Sequence, residues 1–248
     1  YGAMMVMAGD VEGMISGYTR AYPTVAKPIF ELIGKASKVK KVATVNIMTT
    51  ERGPLFLADT AININPSAEE LADIAKMTAN VATTLGFEPI MAMLSYSNFG
   101  SSTHPNAVKV RNAVEILHTE NPNLLVDGDI QSDFALNPEM LKAKFPFSKL
   151  AGKKVNTLIF PNLEAANITY KLLKELYKVD SIGPIMLGME KAVHIFQLGA
   201  SVEEMVNMVA VAVVDAQEKE KRKTILKDVK HLEQDIIVTI QDHVLKLD

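Results

Sequence analysis

Short apolar stretches alternate with longer amphipathic ones along most of this 248-residue chain. The apolar stretches are nearly continuous, which is typical of parallel strands that are buried on both faces. The stretches between them have helical length and period. The sequence therefore predicts an α/β fold with a mostly parallel sheet covered by helices on both sides. The predicted strands are 40–48, 54–60, 88–97, 123–130 and 155–162.

Helix boundaries are marked by capping residues. Ser67 and Glu70 have the spacing of a capping box, and Gly86 suits the position just after a helix, so a helix is predicted over 67–86. Ser201 and Glu204 repeat that spacing before an apolar run and predict a second capped start. The other predicted helices are 104–121, 132–145 on either side of Pro138, and 163–179.

Composition excludes several classes of function. The net charge is −3 with acids and bases interspersed, which argues against nucleic acid or an anionic membrane as partner. There is no cysteine, so disulfides, thiolate nucleophiles and cysteine-ligated metals are excluded. The longest apolar run, 208–214, is too short to span a bilayer. Without a recognisable signal peptide, we expect a cytoplasmic protein.

The two ends of the chain differ from its middle. Residue 1 is Tyr, and 1–18 reads like the end of a helix entering a turn and a strand, so we expect the front of a first domain to be missing. A domain boundary near Pro23–Pro28, with the chain returning to its first domain near 183–191, would make one domain an insertion in the other. The predicted division is 1–24 with 190–217, then 25–189, then a helical extension over 218–248. Its near-heptad apolar spacing fits an oligomerisation helix or a terminal helix packed on its own domain.

Polar loops follow three predicted strands, at 95–102, 127–133 and 161–167. In open parallel sheets, ligands bind beyond the carboxyl ends of the strands, and hydroxyls and loop N–H groups can surround a phosphate there. Ser, Asn and Gly are also ordinary turn residues, but three such loops at one edge favour a site. A fourth loop, 16–24, carries Arg20, which suits a phosphate or carboxylate ligand or simply lies on the surface.

Metal sites and familiar catalytic motifs are not predicted. Asp127, Asp129 and Asp133 lack the spacing of a calcium loop, and a helix cap with solvent-facing acids explains them more simply. The histidines are scattered without metal-ligand spacing, so we expect no zinc. The sequence contains no nucleophile elbow, P-loop or dinucleotide fingerprint.

Several motifs, in this order, resemble the phosphate acetyl/butyryltransferase family, and the resemblance runs from residue 1 to about 217. That family has two α/β domains of the isocitrate/isopropylmalate dehydrogenase type, one inserted in the other, with the site in the cleft between them. It moves an acyl group between CoA and phosphate; an acid assists the CoA thiol and arginines hold the phosphate. The matching motifs are "DVEGMISG" (10–17), "MLSYSNFGSS" (93–102), "VDGDIQSDFAL" (126–136), "IFPNLEAANITYKLL" (159–173), "GPIMLGMEKAVHIFQLGAS" (183–201) and "VNMVAVAVVDAQ" (206–217).

The chain departs from the family pattern where catalysis is expected. Active members carry Ser-Arg-Gly before the late helix and an Asp in its first turn, whereas here Gln197, Leu198 and Glu204 occupy those positions. Leucine cannot replace a phosphate-binding arginine, and a longer acid places its carboxylate elsewhere. The family's Arg-Pro is Lys27-Pro28, which keeps the charge without the bidentate fork. No catalytic residue is therefore expected.

This pattern is most similar to the phosphotransacetylase-like domain at the C-terminus of bacterial NADP-dependent malic enzymes. The resemblance implies a catalytically silent module that binds acetyl-CoA as an effector, inhibits malate decarboxylation by N-terminal domains and supports a homo-oligomer. NADP and a divalent metal would belong only to those N-terminal domains. Phosphate or acetyl phosphate is a further ligand to consider. The implied acetyl-CoA-binding residues are Ser16, Arg20, Lys27, Ser95, Tyr96, Ser97, Gly100, Ser101 and Asn167.

Two alternatives stay open at this point. The chain could be a working phosphate acetyltransferase in which Lys27, Arg20 or a residue of the missing front replaces the lost arginine. It could also be a purely structural domain that holds subunits together.

Overall fold

The computed structural model describes residues 1–37, 39–197 and 199–244. Its strands and helices alternate along most of the chain, as the apolar pattern predicts. The strands are β1 (Gly13–Gly17), β2 (Ala43–Thr50), β3 (Gly53–Ala58), β4 (Ile90–Leu94), β5 (Leu125–Ile130), β6 (Thr157–Ile159), β7 (Ser181–Leu187) and β8 (Ala192–Phe196). The helices are α1 (Gly2–Ala8), α2 (Tyr22–Leu32), α3 (Ala68–Thr84), α4 (Pro105–Glu120), α5 (Ser132–Ala135), α6 (Pro138–Lys144), α7 (Leu163–Tyr177) and α8 (Val202–Val244).

The strands form one large sheet and one small sheet. The large sheet has six strands in the order β5-β4-β6-β3-β2-β7, and β1 pairs with β8 in a parallel two-stranded sheet. The pairs β5-β4, β4-β6 and β6-β3 are parallel, whereas β2 is antiparallel to both of its neighbours. The prediction of a mostly parallel α/β sheet is therefore confirmed, and β2 alone runs against the other five strands.

The reversed strand has a simple cause. Only Glu51 and Arg52 separate Thr50 from its partner Gly53, and so short a connection can only join antiparallel strands. A parallel neighbour would need a crossover of a dozen or more residues. The first two predicted strands are thus a hairpin built into a parallel sheet.

Both faces of the six-stranded sheet are covered. Along β4, Met91 and Met93 belong to the core under α3, α4 and the start of α8, while Ala92 and Leu94 belong to the core under α5, α6 and α7. This alternation follows from the two-residue period of a strand. It explains why the strand sequence is apolar at every position.

The capping predictions are confirmed at both helices. The Ser67 hydroxyl accepts a hydrogen bond from the Glu70 N–H, and the Glu70 carboxylate accepts one from the Ser67 N–H. Ser201 and Glu204 repeat the same reciprocal pair at the start of α8. Each box satisfies backbone donors that the helix itself cannot pair.

The small sheet has its own apolar cluster. Helix α2 contains both Pro23 and Pro28, and its Ala26 and Ile29 pack in one cluster with Val193 of β8. The division into domains at 24/25 and 189/190 stays a prediction.

Helix α8 continues from the small sheet into the predicted extension as one helix of 43 residues. The Arg222 guanidinium donates to the Asn80 side-chain oxygen at 2.5 Å and so ties the extension to α3. The side chains of the heptad positions after Ile225 lie outside the described residues. Over the described ranges, none of the helices has the length and apolarity needed to cross a lipid bilayer.

Candidate functional site

The serine-rich loop 95–102 leaves the carboxyl end of β4 and is held from within. The Ser97 side chain is buried; its hydroxyl accepts from the Ser102 N–H at 3.1 Å and lies 3.1 Å from the Ser101 hydroxyl. The Ser101 hydroxyl also accepts from the Asn98 N–H, and the Ser95 hydroxyl accepts from the Ser97 N–H. These hydroxyls fix the shape of the loop by pairing with its own backbone.

Exposed groups of the same loop include Tyr96, which is 57% exposed, and Gly100. The Tyr96 hydroxyl lies 3.2 Å from the Ser102 hydroxyl. Gly100 has φ near +89°, where residues other than glycine are strained, and its N–H donates to the Asp129 carboxylate at 3.0 Å. Loop 95–102 is therefore anchored to the neighbouring strand β5.

The interpretation of Asp127 and Asp129 as solvent-facing acids is wrong. Both lie inside β5 and are buried, because the strand continues to Ile130. Asp127 accepts from the Ser148 hydroxyl and the Lys149 N–H, which satisfies one carboxylate oxygen in the interior. Asp133 is exposed, in the first turn of α5, as the interpretation requires.

Asp129 has a cationic neighbour that the sequence analysis did not single out. The Arg111 guanidinium lies 3.6 Å from one Asp129 oxygen and also approaches the Ser102 carbonyl. Arg111 is on α4, the helix that follows loop 95–102, and it stands over Gly100. The contact between Arg111 and Asp129 depends on the fold bringing α4 and β5 together, so the sequence alone did not predict it.

Loop 161–167 lies at the same edge of the sheet. The Asn162 side chain caps α7 by accepting from the Ala165 N–H, and the Asn167 side chain donates to the Thr60 carbonyl at 3.0 Å. The Lys109 ammonium of α4 donates to the Pro161 carbonyl, and burial lowers its pKa. Lys109 is thus a second cation at this edge of the sheet, and no motif in the sequence indicated its position there.

A second group of predicted residues lies at the carboxyl ends of β1 and β8. Ser16 pairs with Ile195 in the parallel ladder, and Gln197 follows directly after β8. Arg20 is exposed in the turn between β1 and α2. Lys27 is exposed on α2, with its ammonium 4.0 Å from the Glu31 carboxylate. Leu198, at the family's arginine position, lies outside the described residues.

Glu204 is held by partners on three elements. One carboxylate oxygen accepts from the Ser201 N–H at 2.8 Å. The other accepts from the Lys174 ammonium of α7 at 2.5 Å and from the Ser181 hydroxyl of β7 at 3.0 Å. Burial raises the pKa of Glu204, but the hydrogen bonds from Lys174, Ser201 and Ser181 outweigh it, and the pKa lies below its ordinary value.

The two groups of predicted residues lie at different edges of the large sheet. Ser181 is the first residue of β7, and Ser95 follows the last residue of β4. Because β7 and β4 run in the same direction, Glu204 is near the amino edge and loop 95–102 is at the carboxyl edge. The fold thus places Gln197 at the end of the β1–β8 ladder that contains Ser16, and it places loop 95–102 against Asp129.

A model of the phosphate acetyl/butaryl transferase family matches residues 1–213. The chain belongs to this family. The resemblance drawn from the motifs is therefore confirmed, and the chain is a phosphotransacetylase-like domain.

Members of the family and their relatives differ in size and activity. The chain is 42% identical to phosphate acetyltransferase of Thermoanaerobacterium thermosaccharolyticum, over 88% of this chain and 68% of that protein. It is 39% identical to NADP-dependent malic enzyme of Haemophilus influenzae, over 87% of this chain but only 28% of that enzyme. A phosphotransacetylase structure from Streptococcus pyogenes superposes with a TM-score of 0.82 at 37% identity, covering 88% of this chain and 66% of its own.

The described residues bring no metal site together. Among them, no three His, Asp or Glu side chains converge as ligands for an ion. The candidate site consists of the polar groups described above, in a domain of the transferase family.

Proposed function

We propose that this phosphotransacetylase-like domain binds acetyl-CoA as a regulatory ligand and does not transfer its acetyl group. In a longer chain, the domain would control malate decarboxylation by malic enzyme catalytic domains. The observation that supports the proposal is the hydrogen bonding of Glu204. It occupies the position at which the family pattern has an aspartate, and partners engage both of its carboxylate oxygens.

An acid that assists a thiol must be able to take up its proton. A carboxylate that is ion-paired to Lys174 and has a lowered pKa is a weak base. The Gln-Leu pair at 197–198 also removes the cation that would hold a phosphate as charge develops in the transition state. Both changes reduce turnover more than binding, because acceleration requires groups that match the transition state.

Ligand binding can survive these changes. Arg20 keeps positive charge in the turn after β1, and Lys27 keeps it on the exposed surface of α2, the helix that follows this turn. We assign the anionic parts of acetyl-CoA to this region, in the cleft between the small and large sheets that the family resemblance implies. Loop 95–102 and Asn167 lie at the other, carboxyl edge of the large sheet and stay a separate candidate surface for the ligand.

Regulation requires that the ligand prefer one of two states of a larger assembly. The malic enzyme of Haemophilus influenzae extends well beyond the part that matches this chain, since only 28% of it is covered. Helix α8, continuous from the site into the extension, is the element we propose to carry the signal to other subunits of a homo-oligomer.

The test is the affinity for acetyl-CoA of Arg20→Ala, measured by calorimetry. We expect about tenfold weaker binding, because a charge-assisted contact is lost. Arg52→Ala is the matched control, since Arg52 is an exposed arginine on the β2–β3 hairpin, where its guanidinium donates to the Leu136 carbonyl. Equal affinities for wild type and Arg20→Ala would remove this assignment.

A second candidate is an active phosphate acetyltransferase. The 42% identity to the enzyme of Thermoanaerobacterium thermosaccharolyticum favours it. It predicts release of free CoA thiol when acetyl-CoA and phosphate are mixed with the protein. Our proposal predicts no release by wild type and detectable release only after Gln197→Ser, Leu198→Arg and Glu204→Asp restore the family residues together.

A further inference from the structure

A cavity of about 370 Å³ lies where α2 meets the carboxyl edge of the six-stranded sheet. Phe30 of α2 forms one side of it. Val42, just before β2, and Ile62, in the loop after β3, form the other apolar surfaces. All three side chains are only partly buried, so apolar surface remains accessible inside the cavity. None of the residues predicted to bind acetyl-CoA lines it.

The rim of this cavity is basic. Lys35, Lys40 and Lys41 all line it, within seven positions of one another, and its described lining contains no acidic residue. The Lys35 ammonium donates to the Lys40 carbonyl at 2.6 Å, which folds the segment back on itself. The run "GKASKVKK" indicates this basic rim in the sequence, but the net charge over the whole chain did not single it out.

Carboxylates of α3 approach from outside the cavity. The Glu70 carboxylate pairs with the Lys41 ammonium at 2.7 Å. The hydrogen bond from the Ser67 hydroxyl lowers the pKa of Glu69, and the charge of Lys40 adds to that effect. Both lysine side chains are exposed, so neither is locked in this pairing. A bound polyanion could draw both ammonium groups inward.

The opposite wall is rigid. Asn63 lines the cavity and is 8% exposed, and its side-chain nitrogen donates to the Val42 carbonyl at 2.9 Å and to the Asp59 carboxylate at 2.5 Å. Its backbone N–H donates to the same carboxylate. The buried Asp59 therefore fixes this wall before any ligand arrives, which lowers the entropic cost of binding.

We propose that this cavity binds a nucleotide that carries at least two phosphate groups. The base would lie against Phe30 and the aliphatic side chains, and the phosphates would be held by Lys35, Lys40 and Lys41. An aromatic ring beside several cations is the combination that recognises a planar base attached to phosphates. The volume lies within the range of small-molecule sites.

The nucleotide can come from two sources that share this chemistry. One is a free nucleotide, and the other is the nucleotide end of acyl-CoA. The inference stands apart from the proposed function, because it rests on a different set of residues and its probe carries no acyl group.

The experiment measures binding of adenosine 3′,5′-bisphosphate and of pyrophosphate to the 248-residue chain by calorimetry. Lys40→Ala with Lys41→Ala should weaken both probes by about tenfold or more, since two charged contacts are lost. Phe30→Leu keeps an apolar side chain and should weaken the bisphosphate about threefold to tenfold while leaving pyrophosphate unchanged. Circular dichroism checks that each variant is folded.

The matched control is Lys153→Ala with Lys154→Ala, which removes the same charge from an exposed lysine pair that does not line the cavity. It should bind both probes like wild type. No saturable binding of the bisphosphate, or equal weakening by the control pair, would overturn the proposal. A bisphosphate that binds no better than pyrophosphate would overturn the nucleotide assignment.

A competition arm separates the two sources. If acetyl-CoA displaces the bisphosphate, and does so less well in the Lys40 and Lys41 double variant, the cavity holds the nucleotide end of CoA. If the bisphosphate binds with the expected variant pattern and acetyl-CoA does not displace it, the cavity binds a free nucleotide. The two proposals fail separately, because this one is decided by the Lys40 and Lys41 double variant with probes that carry no acyl group, and the proposed function is decided by Arg20→Ala with acetyl-CoA.

Discussion

Asp59→Asn should destabilise the protein markedly, although the two side chains have the same shape. Asp59 is 4% exposed and follows β3 directly. One oxygen accepts from the Thr44 N–H and hydroxyl at 3.0 and 2.5 Å and from the Ala61 N–H at 3.1 Å. The other accepts from the Asn63 N–H and side-chain nitrogen at 2.8 and 2.5 Å.

The magnitude follows from what an amide can accept. In the variant one oxygen becomes an NH₂ group, so either the Thr44 side or the Asn63 side faces a donor instead of an acceptor. The less costly orientation turns the NH₂ group toward Asn63 and loses two hydrogen bonds to a charged group, at about 1.5–3 kcal/mol each. A flip of the Asn63 amide would recover one of them, which leaves a net loss of about 1.5–3 kcal/mol.

The assay is thermal and urea unfolding. The predicted loss corresponds to a melting temperature about 3–12 °C lower for a chain of this size. Asp10→Asn is the matched control, because Asp10 is exposed in the turn after α1. A variant within about 0.5 kcal/mol of wild type would refute the view that Asp59 organises the edge of the sheet.

Three further predictions concern the sites described above. The pKa of Glu204 is lowered, so its pairing with Lys174 stabilises the fold above the ordinary pKa of 4.5, and this stabilisation is lost as pH falls through the folded value. As pH falls below 4.5, the melting temperature of Glu204→Gln should therefore decline less than that of wild type. The same dependence of melting temperature on pH in both proteins would contradict this. Ser201→Ala should lower the urea-unfolding free energy by about 1 kcal/mol through loss of the α8 cap, and no change would mean that water replaces it. Gly100→Ala should cost about 1–2 kcal/mol, because φ is near +89° and the new Cβ would lie 3.0 Å from Arg111; a neutral effect in urea unfolding would show that the loop relaxes freely.

Local patterns predicted much of the fold because the relevant interactions are close in sequence. The helix predicted over 67–86 is observed as Ala68–Thr84, with the expected capping box. Pro138 does separate two short helices, α5 and α6. Apolar runs located β2 to β6, since burial on both faces leaves few polar positions, whereas β7 and β8 were not among the predicted strands.

Strand direction and buried polar groups were harder to predict. The antiparallel direction of β2 follows from its two-residue connection to β3, Glu51 and Arg52, and the apolar pattern contains no information about that connection. Asp127 and Asp129 lie inside β5, where distant groups, Ser148 and the Gly100 N–H, each pair with one of their carboxylate oxygens. A single sequence does not reveal such partners.

The candidate site shows the same division. The motifs predicted the family and the altered residues at 197, 198 and 204, because those lie within continuous stretches. The Lys174–Glu204 pair joins residues on α7 and α8, and the lysine cavity joins α2 to the loop after β3. Both depend on tertiary structure, and neither was predicted.

One calorimetric titration of the chain with acetyl-CoA in phosphate buffer tests the central claim most directly. We predict discrete heats that saturate and then stop, since the domain binds the ligand without turnover. A sustained heat flow that scales with protein concentration and disappears when phosphate is omitted would show acyl transfer and contradict the account. Absence of any heat, at temperatures where binding enthalpy is measurable, would contradict acetyl-CoA binding itself.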